Sequence, residues 1–413
     1  MNYKITVDGK QIDLEITYNP VEIIKPKKVA VFNQEKLICE SLQNPIDSPD
    51  LQTFLQDKEN ILLIVNDGSR NTPTSIVISA IYDQIKNKNF KFIVALGTHR
   101  QPTQIEFEKI FGKFYTEFKD RIFCHDSQND EMTYLGITSR GTPVKINSEV
   151  IKADGVIVIS SVEPHYFAGF TGGRKSFLPG VAAYESVEKN HSFALRNEAK
   201  ILQLEGNPVH EDMKEAAKMI TTETFCILTV LDTNYKVFYS TSGNIHSTLK
   251  NASVKVVEVF VPEVKEKADI VIAINQPPLN MDLYQSQKGL ENCKSILEEN
   301  GIFILVSNCN EGIGNNAFYK LMASCKSPDE VFQKVEKNYK LGYHKAAKFV
   351  SFMQKNKLWM VSEIEDDILE KIFIKNFSSL QKAVNNAILL KGKDAKVKLI
   401  INAGITIQQI TNN

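Results

Sequence analysis

The chain has 413 residues, of which 43% are apolar and 24% charged, a composition typical of a soluble globular protein with room for two domains. Lys and Arg together number 49, as do Asp and Glu, so no net charge draws the chain to nucleic acid or an anionic membrane. Its six cysteines are scattered without a CxxC pair, which argues against a disulfide framework and a structural zinc site.

The N-terminus predicts a β-hairpin. Residues 1–19 alternate apolar and polar side chains around Asp8-Gly9, a pair typical of a tight turn. This pattern differs from that of a secretory signal peptide. No uninterrupted apolar segment approaches the roughly 20 residues needed to cross a bilayer. We therefore expect a cytoplasmic protein with neither nucleic acid nor membrane as a partner.

Behind the hairpin, short apolar runs alternate with amphipathic helical stretches. The clearest runs are 61–65, 92–96, 155–160, 270–274 and 302–306. Continuous apolar runs separated by helices are typical of parallel strands covered on both faces. The predicted fold class is α/β, with two domains that each have a mainly parallel sheet flanked by helices.

A change of composition at residues 261–267 predicts a linker between the domains. The first domain is expected at residues 1–265 and the second at residues 266–394. A last strand-like run at 397–402 leaves open whether residues 395–413 return to the first domain.

Unusual polar residues follow the predicted strands at their carboxyl ends. Asp67 and Arg70 follow the first run, His99 the second and His165 the third, and the loop at Asn275 follows the fourth. Ligands of open α/β sheets bind beyond these ends. We therefore expect an active site in the cleft between the domains, the usual place for a pocket in such proteins.

The densest polar segment is the loop at residues 163–180. Its glycines at 169, 172 and 173 permit positive φ and close approach of a ligand. The pair Arg174-Lys175 indicates an anion site or a nucleophilic amine. The phosphate-loop pattern is not met, because Arg174 separates Gly173 from Lys175. The alternative is a turn of purely structural value.

Three histidines are candidates for chemistry. His191 lies 16 residues after Lys175, behind a helix-like stretch at 182–190. Imidazole is a suitable ligand for nickel, zinc or copper, although a histidine at a helix end is also a common cap. His99 and His165 follow strands directly and are suited to act as acid and base in turn, or to orient a loop.

Two further groups carry polar side chains suited to an oxygen-rich substrate. Arg70 follows a strand, where its guanidinium is able to hold a carboxylate through two parallel hydrogen bonds or to pair with Asp67. Tyr284, Gln285 and Lys288 share one face of a predicted helix. A merely solvated helix face has the same composition.

Taken together, these segments resemble the nickel-dependent lactate racemase family over most of the chain. The resemblance rests on order, spacing and residue type in five blocks: Asp67-x-x-Arg70, Gly97-Thr-His99-Arg100, Glu163-Pro-His165 through Lys175, His191, and Tyr284-Gln285-x-x-Lys288. Thr171 stands where we expect Ser, and the middle of Asp67-Gly-Ser-Arg70 differs from forms associated with lactate. The resemblance therefore indicates the chemistry more narrowly than the substrate.

The resemblance implies a role for each matched residue. Lys175 is expected to carry covalently the nickel pincer nucleotide, a pyridinium-3-thioamide-5-thiocarboxylate mononucleotide, and His191 to be the protein ligand of its nickel. His99 and His165 become the acid/base pair. The residues implied at the substrate are Arg70, Tyr284, Gln285, Lys288 and, with a less defined role, Asp67.

The implied reaction inverts C2 of a 2-hydroxy acid, either lactate or a related short-chain, aryl or sugar acid. Hydride passes reversibly from C2 to the cationic ring while a histidine takes the hydroxyl proton, and it returns to the other face of the 2-keto acid. Separate maturation enzymes must supply the cofactor. Two alternatives remain: a zinc hydrolase using His99, His165 and His191, and a non-catalytic homologue that only binds 2-hydroxy acids.

Overall fold

The chain folds into two units, one continuous in sequence and one formed from both terminal segments. The computed structural model describes residues 1–17, 20–31 and 33–410. The central unit is Lys28–Val259, and the terminal unit combines Met1–Lys27 with Phe260–Asn413. Among the described residues, no helix is long and apolar enough to cross a membrane.

The predicted N-terminal hairpin is confirmed. Strands β1 (Asn2–Val7) and β2 (Lys10–Glu15) pair antiparallel, with Val7 opposite Lys10. Asp8 and Gly9 form the turn with φ of 49° and 75°, which explains the need for a residue that tolerates positive φ and for glycine. A third strand, β3 (Val21–Ile24), follows.

The central unit carries ten strands and nine α-helices within its described residues. Its strands are β4 (Asn60–Asn66), β5 (Asn89–Ala95), β6 (Ile122–Cys124), β7 (Met132–Ile137), β8 (Pro143–Asn147), β9 (Gly155–Ser161), β10 (Pro164–His165), β11 (Gly169–Phe170), β12 (Thr224–Leu231) and β13 (Val237–Gly243). Its helices are α1 (Gln34–Gln43), α2 (Leu51–Leu55), α3 (Thr74–Ile85), α4 (Gln104–Phe111), α5 (Tyr115–Phe118), α6 (Ser148–Lys152), α7 (Tyr184–Ser192), α8 (Pro208–Lys218) and α9 (Ile245–Phe260).

Six of these strands form the main sheet of the central unit, in the order β13-β12-β9-β4-β5-β6. All neighbours are parallel except β13, which pairs antiparallel with β12. Every residue of β9 is buried. Helices cover the sheet, and Phe92 of β5, for example, packs edge-on against Phe111 of α4 with ring centroids 5.2 Å apart. The buried runs thus form parallel strands, as predicted.

The terminal unit continues with the strands β14 (Glu263–Val264), β15 (Ala268–Ile274), β16 (Leu297–Val306), β17 (Lys357–Val361), β18 (Lys375–Asn376), β19 (Val397–Ile401) and β20 (Gln409–Ile410). Its helices are α10 (Leu283–Cys293), α11 (Asn316–Ala323), α12 (Pro328–Lys337), α13 (Tyr343–Met353), α14 (Asp366–Glu370) and α15 (Leu380–Lys391).

The main sheet of the terminal unit is parallel throughout, in the order β18-β17-β16-β15-β19-β3. Successive residues of β15 point to opposite faces of the sheet, and both faces are buried. Apolar residues therefore do not alternate with polar ones along this strand. Val271 and Ala273 pack with α10 to α13. Ile270, Ile272 and Ile274 pack with the β1–β2 hairpin and α15. The predicted α/β fold class is therefore confirmed for both sheets.

The structure divides the chain differently from the predicted domains of 1–265 and 266–394. The C-terminal boundary of the central unit lies at residue 259, but residues 1–27 belong to the terminal unit. The strand-like run at 397–402 forms β19, which pairs with β15 and β3 in the sheet of the terminal unit and not with the central sheet. The partner of a short buried strand depends on tertiary contacts that a local pattern does not contain.

Candidate active site

The central sheet places its candidate residues at a topological switch point. From β4 the chain continues to β5 on one side, and from β9 it continues to β12 on the other. Ligands of open α/β sheets bind in the crevice that such a reversal opens at the carboxyl ends of the two strands. Asp67 and Arg70 follow β4, and Glu163 and His165 follow β9.

A buried polar network joins the ends of β4 and β9. Asn66 Oδ1 accepts hydrogen bonds from Thr72 Oγ1 and Ser160 Oγ, both at 2.8 Å. The hydroxyls of Thr72 and Ser161 are 2.9 Å apart. Sequence reasoning missed these residues, because hydroxyl and amide side chains at strand ends are common and only the pairing of the strands brings them together. The network holds the carboxyl ends of β4 and β9 together.

Arg70 pairs with Glu163 and not with Asp67. Its NH1 group donates to Glu163 Oε2 at 2.9 Å, and both side chains are largely buried. Glu163 in turn is tied to the loop through Thr171, whose hydroxyl accepts from the Glu163 N–H and whose N–H donates to the Glu163 carbonyl, both at 2.8 Å. The ion pair therefore positions the guanidinium across the switch point.

Asp67 lies against His99. Its Oδ2 is 2.7 Å from His99 Nδ1, and its Oδ1 accepts from the hydroxyl of Ser69 at 2.6 Å. Burial raises the pKa of Asp67, but the charge of His99 and the hydrogen bonds from His99 and Ser69 outweigh it and hold this pKa below its usual value. The carboxylate favours the tautomer with the proton on Nδ1, which leaves Nε2 of the half-exposed imidazole to exchange protons.

The loop after β9 is held in shape from within. β10 and β11 pair antiparallel, so that His165 lies opposite Gly169. Arg174 is fully buried and donates to the carbonyls of Ala168 at 2.8 Å and Gly172 at 3.1 Å. Burial lowers the pKa of Arg174 to about 9. Its guanidinium therefore holds the loop backbone in place.

Gly172 is required by the same loop. Its φ is 83°, and a Cβ there would come within 2.8 Å of Val162 Cγ2. Both the backbone conformation and the close approach exclude a larger residue without rearrangement. The predicted positive φ of this glycine is confirmed, and the groups closest to a Cβ there belong to Ser161 and Val162 at the end of β9.

One aromatic ring gathers three of the predicted residues. The centroid of Phe167 lies 4.5 Å from that of His165 and 5.2 Å from that of His191, with both pairs near perpendicular. Lys175 Nζ lies 5.7 Å from the same centroid and 3.5 Å from His165 Nε2. His165 is buried, whereas Lys175 and His191 are half-buried. Phe167 was not singled out from the sequence, since an isolated phenylalanine carries no signal of such a role.

The turn that carries His99 is bonded to the same loop. The N–H of Gly97 donates to the Gly180 carbonyl at 2.9 Å, and the N–H of Gly180 donates to the Lys175 carbonyl at 3.0 Å. The turn of His99 is thus bonded to the loop that carries Lys175, while His165, Lys175 and His191 lie around the ring of Phe167.

The remaining predicted residues lie in the terminal unit. Tyr284, Gln285 and Lys288 are on α10, as predicted, and share its half-buried face. Asp282 caps the helix by accepting from the Gln285 N–H at 2.6 Å. The ring of Tyr284 packs edge-on against Phe318, with centroids 5.9 Å apart.

Lys345, on α13, is a residue that sequence reasoning missed in the terminal unit. Its ammonium group lies 3.8 Å from the centroid of the Tyr284 ring and donates to the Tyr284 carbonyl. Burial lowers the pKa of Lys345 to about 7, against the opposing charges of Asp282 and Glu291. No sequence signal identifies it, because a buried lysine and an exposed one look alike in a helical pattern.

The residues present fit a cofactor that itself supplies most of the ligands of its metal ion. An amine and two imidazoles lie around one ring, so the protein offers a point of attachment and imidazole nitrogen as a metal ligand. In the part of the chain that the structure describes, no three His, Cys, Asp or Glu side chains are grouped to hold a metal ion. A zinc hydrolase needs three such ligands, so these residues offer it no site.

The fold and the cluster define an α/β enzyme with its candidate chemistry at the switch point of the central sheet. Residues 8–202 match the lactate racemase N-terminal domain and residues 263–408 the lactate racemase C-terminal domain. A lactate racemase of Thermoanaerobacterium thermosaccharolyticum is 33% identical over 312 residues, covering 74% of this chain and 72% of that protein. One of Lactiplantibacillus plantarum is 28% identical over 382 residues, covering 89% of each. This chain belongs to the lactate racemase family.

Solved structures agree with this assignment. The lactate racemase apoprotein of Thermoanaerobacterium thermosaccharolyticum superposes with a TM-score of 0.92 at 27% identity, covering 99% of this chain and 100% of that one. A Thermotoga maritima protein shares the fold, with a TM-score of 0.73 at 18% identity over 91% of this chain and 98% of that one.

Proposed function

We propose that this protein is a racemase of a short 2-hydroxy acid, which works with a nickel pincer nucleotide tethered to Lys175. The observation that carries the proposal is the gathering of Lys175, His165 and His191 around Phe167, with His99 tied to the same loop. Membership of the lactate racemase family supports the reaction class.

Lys175 and His191 are the residues proposed to hold the cofactor. The amine of Lys175 would provide the covalent attachment, and the imidazole of His191 the one protein ligand of the nickel. When bound, the cofactor supplies an electron-poor ring that accepts and returns hydride. Arg174 and Gly172 hold the loop that presents Lys175, so attachment requires no reorganisation of the loop backbone.

His99 and His165 are proposed to move the hydroxyl proton of the substrate. Inversion of a carbon centre needs a proton-transfer group for each enantiomer, because the hydroxyl of each is presented differently. Asp67 keeps His99 with a free Nε2 and stabilises the imidazolium that forms when His99 accepts a proton. His165 is the more buried of the two, and its Nε2 is directed at Lys175.

Arg70 is proposed to hold the substrate carboxylate. Glu163 engages one nitrogen of the guanidinium, and the fork of an arginine has further N–H groups for a second carboxylate. A substrate held in this way turns within the site without leaving it, which keeps the reaction effectively intramolecular. Tyr284, Gln285 and Lys288 are proposed as further substrate contacts from the terminal unit.

The test is maturation of the full chain by co-expression with the cofactor-synthesis enzymes. We expect added mass on Lys175 by intact-protein mass spectrometry, stoichiometric nickel, and racemisation of at least one enantiopure 2-hydroxy acid by chiral chromatography. Lys175→Arg should lose all three, whereas Lys200→Arg, at an exposed position, should lose none. An unmodified Lys175 in the matured wild-type protein would overturn the proposal.

A further inference from the structure

Helix α8 and its N-cap residue are hydrogen-bonded to two segments of the candidate site, the loop with Phe167 and the end of α7 with His191. Asn207 caps the helix, and Asp212 lies in its second turn. Both side chains are fully buried. Neither belongs to the set of residues assigned to cofactor, proton transfer or substrate.

Asn207 fixes the backbone of the residue at the centre of the cluster. Its Nδ2 donates to the Phe167 carbonyl at 2.9 Å, while its Oδ1 accepts from the N–H groups of Val209 and His210 at 3.0 and 3.2 Å. The amide therefore joins the start of α8 to the loop that carries Phe167, whose ring contacts His191.

Asp212 fixes the end of α7. Its Oδ2 accepts from Asn190 Nδ2 at 2.7 Å and from Thr142 Oγ1 at 2.9 Å, and its Oδ1 accepts from Thr138 Oγ1 at 2.6 Å. Asn190 Nδ2 also donates to the Val209 carbonyl of α8 at 3.2 Å. A carboxylate is costly to bury unless hydrogen bonds compensate it, so the donors around Asp212 are held strongly in place.

Asn190 directly precedes His191 in the last turn of α7. A fastening of Asn190 to α8 therefore limits both the translation and the rotation of the helix end that carries the imidazole. The loop with Phe167 is fastened to the same helix five residues earlier, through Asn207. The loop with Phe167 and the end of α7 are thus both hydrogen-bonded to α8 or its N-cap residue.

We propose that Asn190, through Asp212, is a positioning residue that sets the orientation of the His191 imidazole toward a metal carried on Lys175. This inference rests on the proposed function, because it takes His191 as the metal ligand. Groups behind a metal ligand typically change metal affinity by about 10- to 100-fold when they are removed. Asn190 acts through the backbone, so the lower end of that range is expected.

The test compares Asn190→Leu with Thr142→Val in the matured holoenzyme. Each variant removes one donor to the same oxygen of Asp212. Thr142 belongs to the turn between β7 and β8, which carries none of the assigned residues. The readouts are the rate of nickel release to a chelator, the added mass on Lys175, and kcat and KM.

We expect Asn190→Leu to release nickel about tenfold faster and to lower kcat with KM unchanged. Thr142→Val should stay within about twofold of the wild type in each quantity, since it loses a comparable hydrogen bond away from His191. The added mass on Lys175 should be the same in all three proteins. Thermal unfolding of each variant is measured beside these readouts, and Asn190→Ala replaces Asn190→Leu if the larger side chain prevents folding.

Equal nickel release from the Asn190 and Thr142 variants, with normal modification of Lys175, would overturn the positioning role alone. A matured wild-type protein with an unmodified Lys175 would overturn the proposed function and this inference together. The two failures are therefore distinguishable in one set of samples.

Discussion

The two units hold their candidate residues in different ways. In the central unit, side chains are bonded to one another and to the loop backbone, as Asp67 is to His99 and Arg70 to Glu163. In the terminal unit, Tyr284, Gln285 and Lys288 share one face of a single helix, and the Tyr284 ring packs against Phe318 and Lys345. Under the proposed function, the difference teaches that proton transfer by His99 and His165 would need fixed angles and distances, whereas contact of a small acid with the α10 face would need less exact placement.

The largest effect should come from Asp67→Asn, which tests whether the bonded pair in the central unit controls chemistry. Loss of the charge removes the group that orients and stabilises the His99 imidazolium. We expect kcat of the matured enzyme to fall by about 10²- to 10³-fold, within the range of general acid–base catalysis, with little change in thermal stability. Steady-state kinetics in both directions provides the measurement.

Ser69→Ala is the matched control for Asp67→Asn. It removes the hydroxyl that donates to the other oxygen of Asp67 but leaves the bond to His99 intact. Its kcat should remain within about threefold of the wild type, as expected for one partly exposed hydrogen bond. If Asp67→Asn and Ser69→Ala prove equally active, Asp67 does not control His99.

A smaller effect on activity is expected from Arg70→Lys. This variant tests whether Arg70 of the central unit contributes to substrate binding or to the chemical step. Lysine keeps the charge but is unable to engage Glu163 and a substrate carboxylate with one planar fork. KM should rise about tenfold while kcat falls less. Arg100→Lys is the control, because Arg100 holds Glu106 through two bonds at an exposed position. A pure loss of kcat in Arg70→Lys would contradict a carboxylate-binding role.

The smallest effect on activity is expected from Lys345→Met in the terminal unit. This variant is tested by the pH dependence of the free energy of unfolding. Folded Lys345 releases its proton near pH 7, whereas an unfolded lysine keeps it to about pH 10.5. The unfolded chain binds more protons between these values, so the free energy of unfolding rises with pH there, by at most about 1.4 kcal/mol per pH unit.

Lys345→Met should flatten this rise between pH 7 and pH 10 in denaturant unfolding. Lys355→Met, at an exposed position, should leave it unchanged. A wild-type unfolding free energy that stays level or falls across this range would show that Lys345 is not the buried, weakly basic group that its surroundings indicate.

Elements whose pattern is local were predictable from the sequence. Buried parallel strands such as β9 form continuous apolar runs, and the hairpin turn requires positive φ at Asp8 and Gly9. The blocks around His99, His165, Lys175 and His191 were predictable as well, because their types and spacing match a family. The structure places His165, Lys175 and His191 around one ring and bonds the turn of His99 to the same loop, while their individual roles stay predictions.

Pairings between distant segments were not predictable. An arginine three residues after an aspartate suggests a local ion pair, yet Asp67 bonds to His99 and Arg70 to Glu163. The choice depends on which strands lie side by side, and β9 lies next to β4 only in the folded sheet. The same reason hides the link between Asp212 and Asn190, which lie on two successive helices.

The pairing of β3 with β19 has a consequence for biosynthesis. Val21 lies opposite Val397, so the ribosome must extend the chain beyond Val397 before this edge of the terminal sheet is able to close. Residues 28–259 emerge earlier as an uninterrupted segment, and domains generally fold as units in the order of their synthesis. Strand β3 therefore remains without its sheet, and the β1–β2 hairpin without the α15 residues on which it packs, while the inserted unit acquires its structure.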